Sequence, residues 1–149
     1  RTGSGKITFA SAKTMNENEE EVNEFFVGDV MQIVFEINNP SLVKNSAIGV
    51  QVKGIDDVPL LHMMNLDSGF SLIHSLGHEK YKVCSNDLQL FPGDYKITLT
   101  VADPGGYDVY DNIEGCLNFS VLQGGDKVQR NLPKEAGMFF LSPKWSKLR

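Results

Sequence analysis

Apolar and polar residues alternate along most of this chain with a period of two, the spacing that sends successive side chains to opposite faces of a β-strand. Ile7, Phe9 and Ser11 alternate with Lys6, Thr8 and Ala10, and Met31, Ile33, Phe35 and Ile37 oppose Gln32, Glu36 and Asn38 up to a turn at Asn38-Asn39-Pro40. Ile48, Val50 and Val52 alternate with Gly49, Gln51 and Lys53 until Gly54-Ile55-Asp56-Asp57. Pro59 to Leu66 is apolar with His62 and Asn65 embedded, and Tyr81 and Val83 alternate with Lys80, Lys82 and Cys84. A turn at Leu90-Phe91-Pro92-Gly93-Asp94 launches a strand with Tyr95, Ile97, Leu99 and Val101 inward and Lys96, Thr98 and Thr100 outward. Asp103-Pro104-Gly105-Gly106 ends it, Leu117, Phe119 and Val121 mark the next, and Gly137 to Trp145 is a last apolar segment.

Eight or nine short strands with no amphipathic helix predict an all-β fold. One-sided alternation calls for antiparallel sheets with one face in the core, hence an immunoglobulin-like antiparallel β-sandwich. The only tryptophan, Trp145, follows both cysteines, so the disulfide signature of a true immunoglobulin domain is absent. Tyr95, after Pro-Gly-Asp at the mouth of a strand, predicts a tyrosine corner that pins the turn through its hydroxyl.

A chain of 149 residues suits one domain. Within it the pattern separates a sandwich body (1–122), a polar linker (123–136) and a C-terminal strand with its tail (137–149). Such a linker lets the last strand fold back on its own sheet or exchange with a second copy, and the pattern leaves both open. Exchange would place Gly137, Met138, Phe139, Phe140, Leu141 and Trp145 in a homodimer interface.

Composition narrows the function. Hydrophobic content of 41% and charged content of 22% are ordinary for a globular protein, and the formal net charge of −5 argues against nucleic acid as a partner. The charge is unevenly spread: Glu17, Glu19, Glu20, Glu21 and Glu24 crowd an early loop, and Lys127, Arg130, Lys134, Lys144, Lys147 and Arg149 make the end basic. Cys84 and Cys116, both in strand-like segments, read as buried reduced thiols, as in a cytoplasmic protein. Arg1 to Lys6 does not read as a signal peptide, and a start without methionine reads as a fragment or a processed chain.

The opening RTGSGKIT ends like a nucleotide-binding P-loop, yet Ile7 stands where a hydroxyl must hold Mg²⁺ and the first glycine is missing. Its Gly-Ser-Gly reads as a flexible lead-in to an edge strand. No C-x-x-C, H-x-x-x-H, G-x-S-x-G or H-E-x-x-H string occurs, so no metal, cofactor or catalytic residue is expected. Asp108, Asp111 and Glu114 around Tyr110 fit a glycosidase carboxylate pair, but a solvated loop explains them equally. Binding is better supported. Gln51 and Lys53 on a sheet face, with His62, Asn65, His74, Tyr81, Tyr107 and Tyr110 on strand ends and loops, combine hydrogen-bonding groups and flat rings, as a carbohydrate site requires. Tyr107 and Tyr110, in a loop rich in glycine and aspartate, are expected to be exposed.

The order of these pieces resembles one known family. The Gly-Ser-Gly strand, Gly28-Asp29, Asn39-Pro40, Ile48-Gly49-Val50, Leu90-x-Pro-Gly-x-Tyr95, Tyr107-Asp108 to Phe119-Ser120-Val121, Gly137 and Trp145 together are similar to the C-terminal domain of Wzt. Wzt is the ATP-binding subunit of the bacterial ABC transporters that export O-antigen polysaccharide. The resemblance implies a cytoplasmic, non-catalytic carbohydrate-binding module that recognises the modified non-reducing terminus of a lipid-linked glycan. It also implies a homodimer with an exchanged C-terminal strand, an upstream ATPase domain, and contact with the transporter's membrane subunit at the inner face of the inner membrane. It does not fix the sugar-contacting residues. The readings that compete with it are a structural homodimerisation module without a ligand and a weak glycoside hydrolase.

Overall fold

The computed structural model describes residues 1–148, which form a β-sandwich as the alternation predicts; Arg149, the end of the basic tail, lies outside the described residues. The strands are β1 (Thr8–Met15), β2 (Glu24–Phe26), β3 (Met31–Asn39), β4 (Asn45–Gly54), β5 (Pro59–Met64), β6 (Leu72–Ile73), β7 (Gly77–Ser85), β8 (Gly93–Ala102) and β9 (Val109–Leu122). One sheet has the order β1-β3-β7 and the other β2-β9-β8-β4-β5, with β6 also paired to β4. Every pairing is antiparallel except β2 with β9. No helix among the described residues is long and apolar enough to cross a membrane.

The core lies between the sheets and is made of the inward residues of the alternating runs. Ile33, Phe35 and Ile37 from one sheet meet Ile48, Val50, Val52, Ile97, Leu99, Val101 and Phe119 from the other, all buried. Phe119 stacks on Tyr95 at 5.3 Å between ring centroids and meets the edge of Phe25 at 6.1 Å. The tyrosine corner is present: the Tyr95 hydroxyl donates to the carbonyl of Phe91 across the turn.

Period-two reasoning fails where a strand bulges. In β1, Phe9 pairs with Ile37 but Ser11 pairs with Glu36, so Ala10 is an extra residue. The alternation therefore slips by one, Ser11 is exposed, and Ala12 and Thr14 turn inward instead. Gln32, expected outward, is buried.

The opening stretch is docked rather than flexible. The Thr2 and Gly5 amides donate to the carbonyls of Asn112 and Tyr110, and Ser4 donates to Val109, at 2.8–3.1 Å. Gly3 sits at φ 127°, and a Cβ there would fall 2.4 Å from the Tyr110 carbonyl oxygen, so only glycine fits. Arg1 then reaches Asp111 of β9 with two nitrogens at 2.8 and 3.1 Å, and Asp111 also accepts the Phe9 amide at 2.8 Å. Asp111 is 2% exposed, which corrects its reading as part of a solvated loop.

Segment 123–136 is anchored to the body. Leu132 is fully buried, its amide and carbonyl both taken by the side chain of Gln123, and Lys127 donates to the Gly28 carbonyl. The expected last strand does not form. After a 3₁₀ turn at Lys134–Ala136, Phe139 makes a single antiparallel bridge to Leu90, and Phe140 packs at the core margin. Beyond it Leu141 and Trp145 are 73% and 88% exposed. Both cysteines are free thiols, but neither is fully buried: Cys84 is exposed on the outward side of β7, and Cys116 is half-buried, with burial pushing its thiol pKa up.

Candidate functional site

The eight residues expected to contact sugar divide among three places. Gln51, Lys53 and His62 share the outward face of the larger sheet, because register brings them together: Gln51 lies between His62 of β5 and Thr98 of β8, and Lys53 pairs with Lys96. His62, embedded in an apolar run, is exposed on that face and not in the core. Its ring lies over Gly49, where an added Cβ would stand 3.0 Å from Nε2, so the glycine makes the seat for the imidazole.

Beside these residues the sheet is hollowed. Ile97 pairs with Leu117 but Leu99 with Ile113, so β9 carries three residues, Glu114 to Cys116, where β8 has Thr98 alone. Gly115, at φ 60°, donates its amide to the Thr98 hydroxyl at 3.1 Å and fixes this bulge as a raised wall. The β4–β5 turn makes the opposite wall, with Asp57 at φ 64° in the left-handed region that Asp tolerates. Between them lies a cavity of about 250 Å³ lined by Lys53, Asp57, Lys96, Thr98, Glu114 and Gly115. Lys96 bonds Asp57 at 2.8 Å, and that bond with its charge, and a smaller pull from Lys53, hold the Asp57 carboxyl below its usual range. Lys53 and Glu114 make no ion pair among the described residues. Asp57 and Glu114 were not among the expected contacts; the signal for Glu114 was the glycine beside it inside a strand pattern, which marks a bulge.

Asn65, His74 and Tyr81 lie elsewhere, and their polar groups are occupied within the fold. Asn65 Oδ1 accepts the Ile48 amide at 2.9 Å and its Nδ2 donates to the Phe70 carbonyl at 2.8 Å. His74 is buried, with Nε2 2.7 Å from the Ser46 hydroxyl and Nδ1 3.0 Å from both Glu79 and the Tyr81 hydroxyl. Burial and the Glu79 carboxylate push the Tyr81 phenol up to about 12. This cluster clasps β4 and β6 of one sheet to β7 of the other.

The two loop tyrosines separate. Tyr107 at the tip of the β8–β9 loop is 95% exposed, but Tyr110 is 7% exposed, which corrects its placement as a surface aromatic. Tyr110 is already inside β9, covered by the docked Gly3–Gly5 stretch, with the Lys6 ammonium 5.9 Å from its ring centre. Nor do the nearby carboxylates form an acid–base pair: Asp108 bonds Lys6 at 3.1 Å while Asp111 holds Arg1. Among the described residues no group of three or more His, Cys, Asp or Glu is placed to hold a metal ion.

Comparison with known proteins places the chain. No curated protein sequence matches it. The crystal structure of the C-terminal domain of Wzt superposes with a TM-score of 0.83 at 12% identity, covering 99% of this chain and 87% of that one. A Niemann-Pick type C2 protein from the Japanese carpenter ant shares the sandwich more loosely, with a TM-score of 0.55 at 13% identity over 81% of this chain and 98% of that one. At these identities both likenesses speak to the fold. The family model described as the Wzt C-terminal domain matches residues 1–139, nearly the whole chain, and the chain therefore belongs to the Wzt C-terminal domain family.

Proposed function

We propose that this domain is a non-catalytic carbohydrate-binding module that recognises the modified non-reducing terminus of a lipid-linked O-antigen and couples chain completion to export by an ABC transporter. Family membership supplies the transporter setting. The observation that carries the sugar reading is the hollow on the outward sheet face. Every side chain in its lining can hydrogen-bond, Lys53 and Glu114 are free to do so, and Gln51 and His62 adjoin it. A rigid sheet fixes the backbone beneath such groups, so binding hydroxyls orders side chains but not the chain that carries them. The ATPase belongs to an upstream domain, and the module works at the cytoplasmic face of the inner membrane beside the transporter's membrane subunit.

Titrating the chain with its polysaccharide, with and without the terminal group, tests the proposal; equal affinity for the two would sink it. Lys53→Ala is expected to weaken binding roughly tenfold or more, the effect of losing one charge-assisted hydrogen bond, while Tyr110→Phe leaves it unchanged. If both variants bind like the parent, the site lies elsewhere.

The C-terminal tail supports a second element of the same reading, a homodimer. Leu141, Trp145 and Leu148 are large apolar residues with almost no cover in a single copy. A second copy supplies that cover, with Gly137 to Trp145 exchanged or packed against its counterpart. Sedimentation should find a dimer for the whole chain and a monomer for a chain ending at Phe140; a monomer in both cases ends the idea. The division into a body (1–122), a connecting segment (123–136) and a dimerising tail (137–149) rests on the same test.

A further inference from the structure

The sandwich has a second cavity, about 360 Å³, that opens between its two sheets. It exists because the sheets differ in width. The three-stranded sheet ends at β7, whereas the larger sheet continues through β4 to β5 and β6, so Met63, beside the buried Ile48 and Val50, is only partly roofed by Tyr81 and Val83. Phe35 lies in the floor, and Phe70, more than half exposed, stands at the side. An apolar cavity of this size forfeits dispersion contacts along its lining, which a ligand of matching shape restores.

What enters is decided by the polar atoms. Three neutral polar side chains reach the lining, and each is already engaged. Asn65 is held at both ends by backbone, the Tyr81 hydroxyl belongs to the His74–Glu79 cluster, and the Ser68 hydroxyl lies 3.4 Å from the Asn65 carbonyl. A sugar placed between the sheets would find no free neutral side chain to bond its hydroxyls, and each one left unmatched costs about 1–3 kcal/mol. Hydrocarbon carries no such penalty. Among the described residues the only charged residues at the lining are Lys80 and Lys82, which alternate with the inward Tyr81 and Val83 and so stand on the outer side of the edge strand β7, at the mouth of the cleft. Among the described residues Lys80 makes no ion pair, and Lys82 meets Glu19 only at 3.6 Å with both side chains largely in water, a contact worth little.

We propose that this cleft binds a single-chain anionic amphiphile, of the alkyl phosphate or fatty acid class, with the chain between the sheets and the head group at Lys80 and Lys82. The site is separate from the polar face assigned to sugar, so either assignment can fail alone.

Calorimetric titration of the 149-residue chain with dodecyl phosphate, kept below micelle-forming concentration, tests it. Expected is one-to-one binding, roughly three- to tenfold tighter than that of dodecyltrimethylammonium, from two exposed charge pairs. Affinity along an alkyl phosphate series should rise about fourfold per methylene and level off once the cavity is full. Val83→Trp, which fills the cleft, should abolish binding. Lys80→Glu with Lys82→Glu, both exposed on β7, should erase the preference for the anion. Sedimentation with vesicles of phosphatidylglycerol and phosphatidylcholine separates the sources of the chemistry: a pocket for free amphiphile leaves the protein unbound. Absence of one-to-one binding, equal affinity for the two head groups, or vesicle binding without dodecyl phosphate binding would each overturn the proposal. So would a doubly reversed variant that keeps the anion preference.

Discussion

Phe119→Ala is expected to destabilise the domain by about 3–5 kcal/mol, the usual cost of deleting a buried aromatic side chain, and to lower the thermal midpoint by roughly 6–20 °C. Phe119 is fully buried on β9, stacked on Tyr95 and edge-on to Phe25, so its ring joins the tyrosine corner of β8 to the parallel strand β2. Removing it leaves a void that three separate elements would have to close at once. Their backbones are held by sheet hydrogen bonds, so collapse is incomplete and the cavity cost is added to the lost burial. A loss below about 1 kcal/mol by chemical denaturation would show that the two sheets repack freely here. Typical domains hold about 5–15 kcal/mol in all, so this one residue carries a large share.

Asp111→Ala should follow, costing about 3 kcal/mol, because hydrogen bonds to a charged group contribute about 1.5–3 kcal/mol each. Asp111 accepts the Phe9 amide and grips Arg1, which in turn donates to the Phe9 carbonyl at 2.7 Å. One carboxylate therefore ties β9 to β1, strands of opposite sheets, and lays the opening stretch over Tyr110. Alanine leaves the Phe9 amide buried without a partner and frees the first residues. The expected readouts are a lower unfolding midpoint and faster amide exchange at Thr2, Gly5 and Phe9. Affinity at the sheet-face hollow should hold, since its walls, the Glu114–Cys116 bulge and the Asp57 turn, are fixed by the Gly115–Thr98 bond and by the turn itself. If sugar affinity falls in proportion to stability, the hollow depends on the N-terminal clasp.

Some of this was legible residue by residue. Tyr95 after Pro-Gly-Asp announced a hydroxyl bonded back to the turn, and it bonds Phe91. The alternating runs named the apolar faces of β3, β4 and β8, with Gln32 and Thr98 buried against expectation on the outward side, because a strand's two faces are set by the geometry of neighbouring residues alone. Of the expected sugar contacts, Gln51, Lys53 and His62 do converge. Asn65, His74 and Tyr81 look equally suitable in the sequence, yet their polar atoms are spent on Ile48, Phe70, Ser46 and Glu79, partners up to 28 residues away along the chain.

The chain's own order of residues determined that it is all-β, where its turns fall, and which side of each regular strand is apolar; these are local properties of a two-residue period and of Gly, Pro and Asp at the breaks. Only the tertiary structure decided which strands become neighbours, and everything functional depends on that choice. The bulge at Ala10 turned the rest of β1 over, and the bulge at Gly115 raised one wall of the candidate site. Docking of Arg1–Gly5 on β9 buried Tyr110 and Asp111, and the unequal widths of the two sheets opened the cleft at β7. Bulges, docking and sheet width are settled by contacts between residues far apart in the chain, whose energies no local pattern encodes.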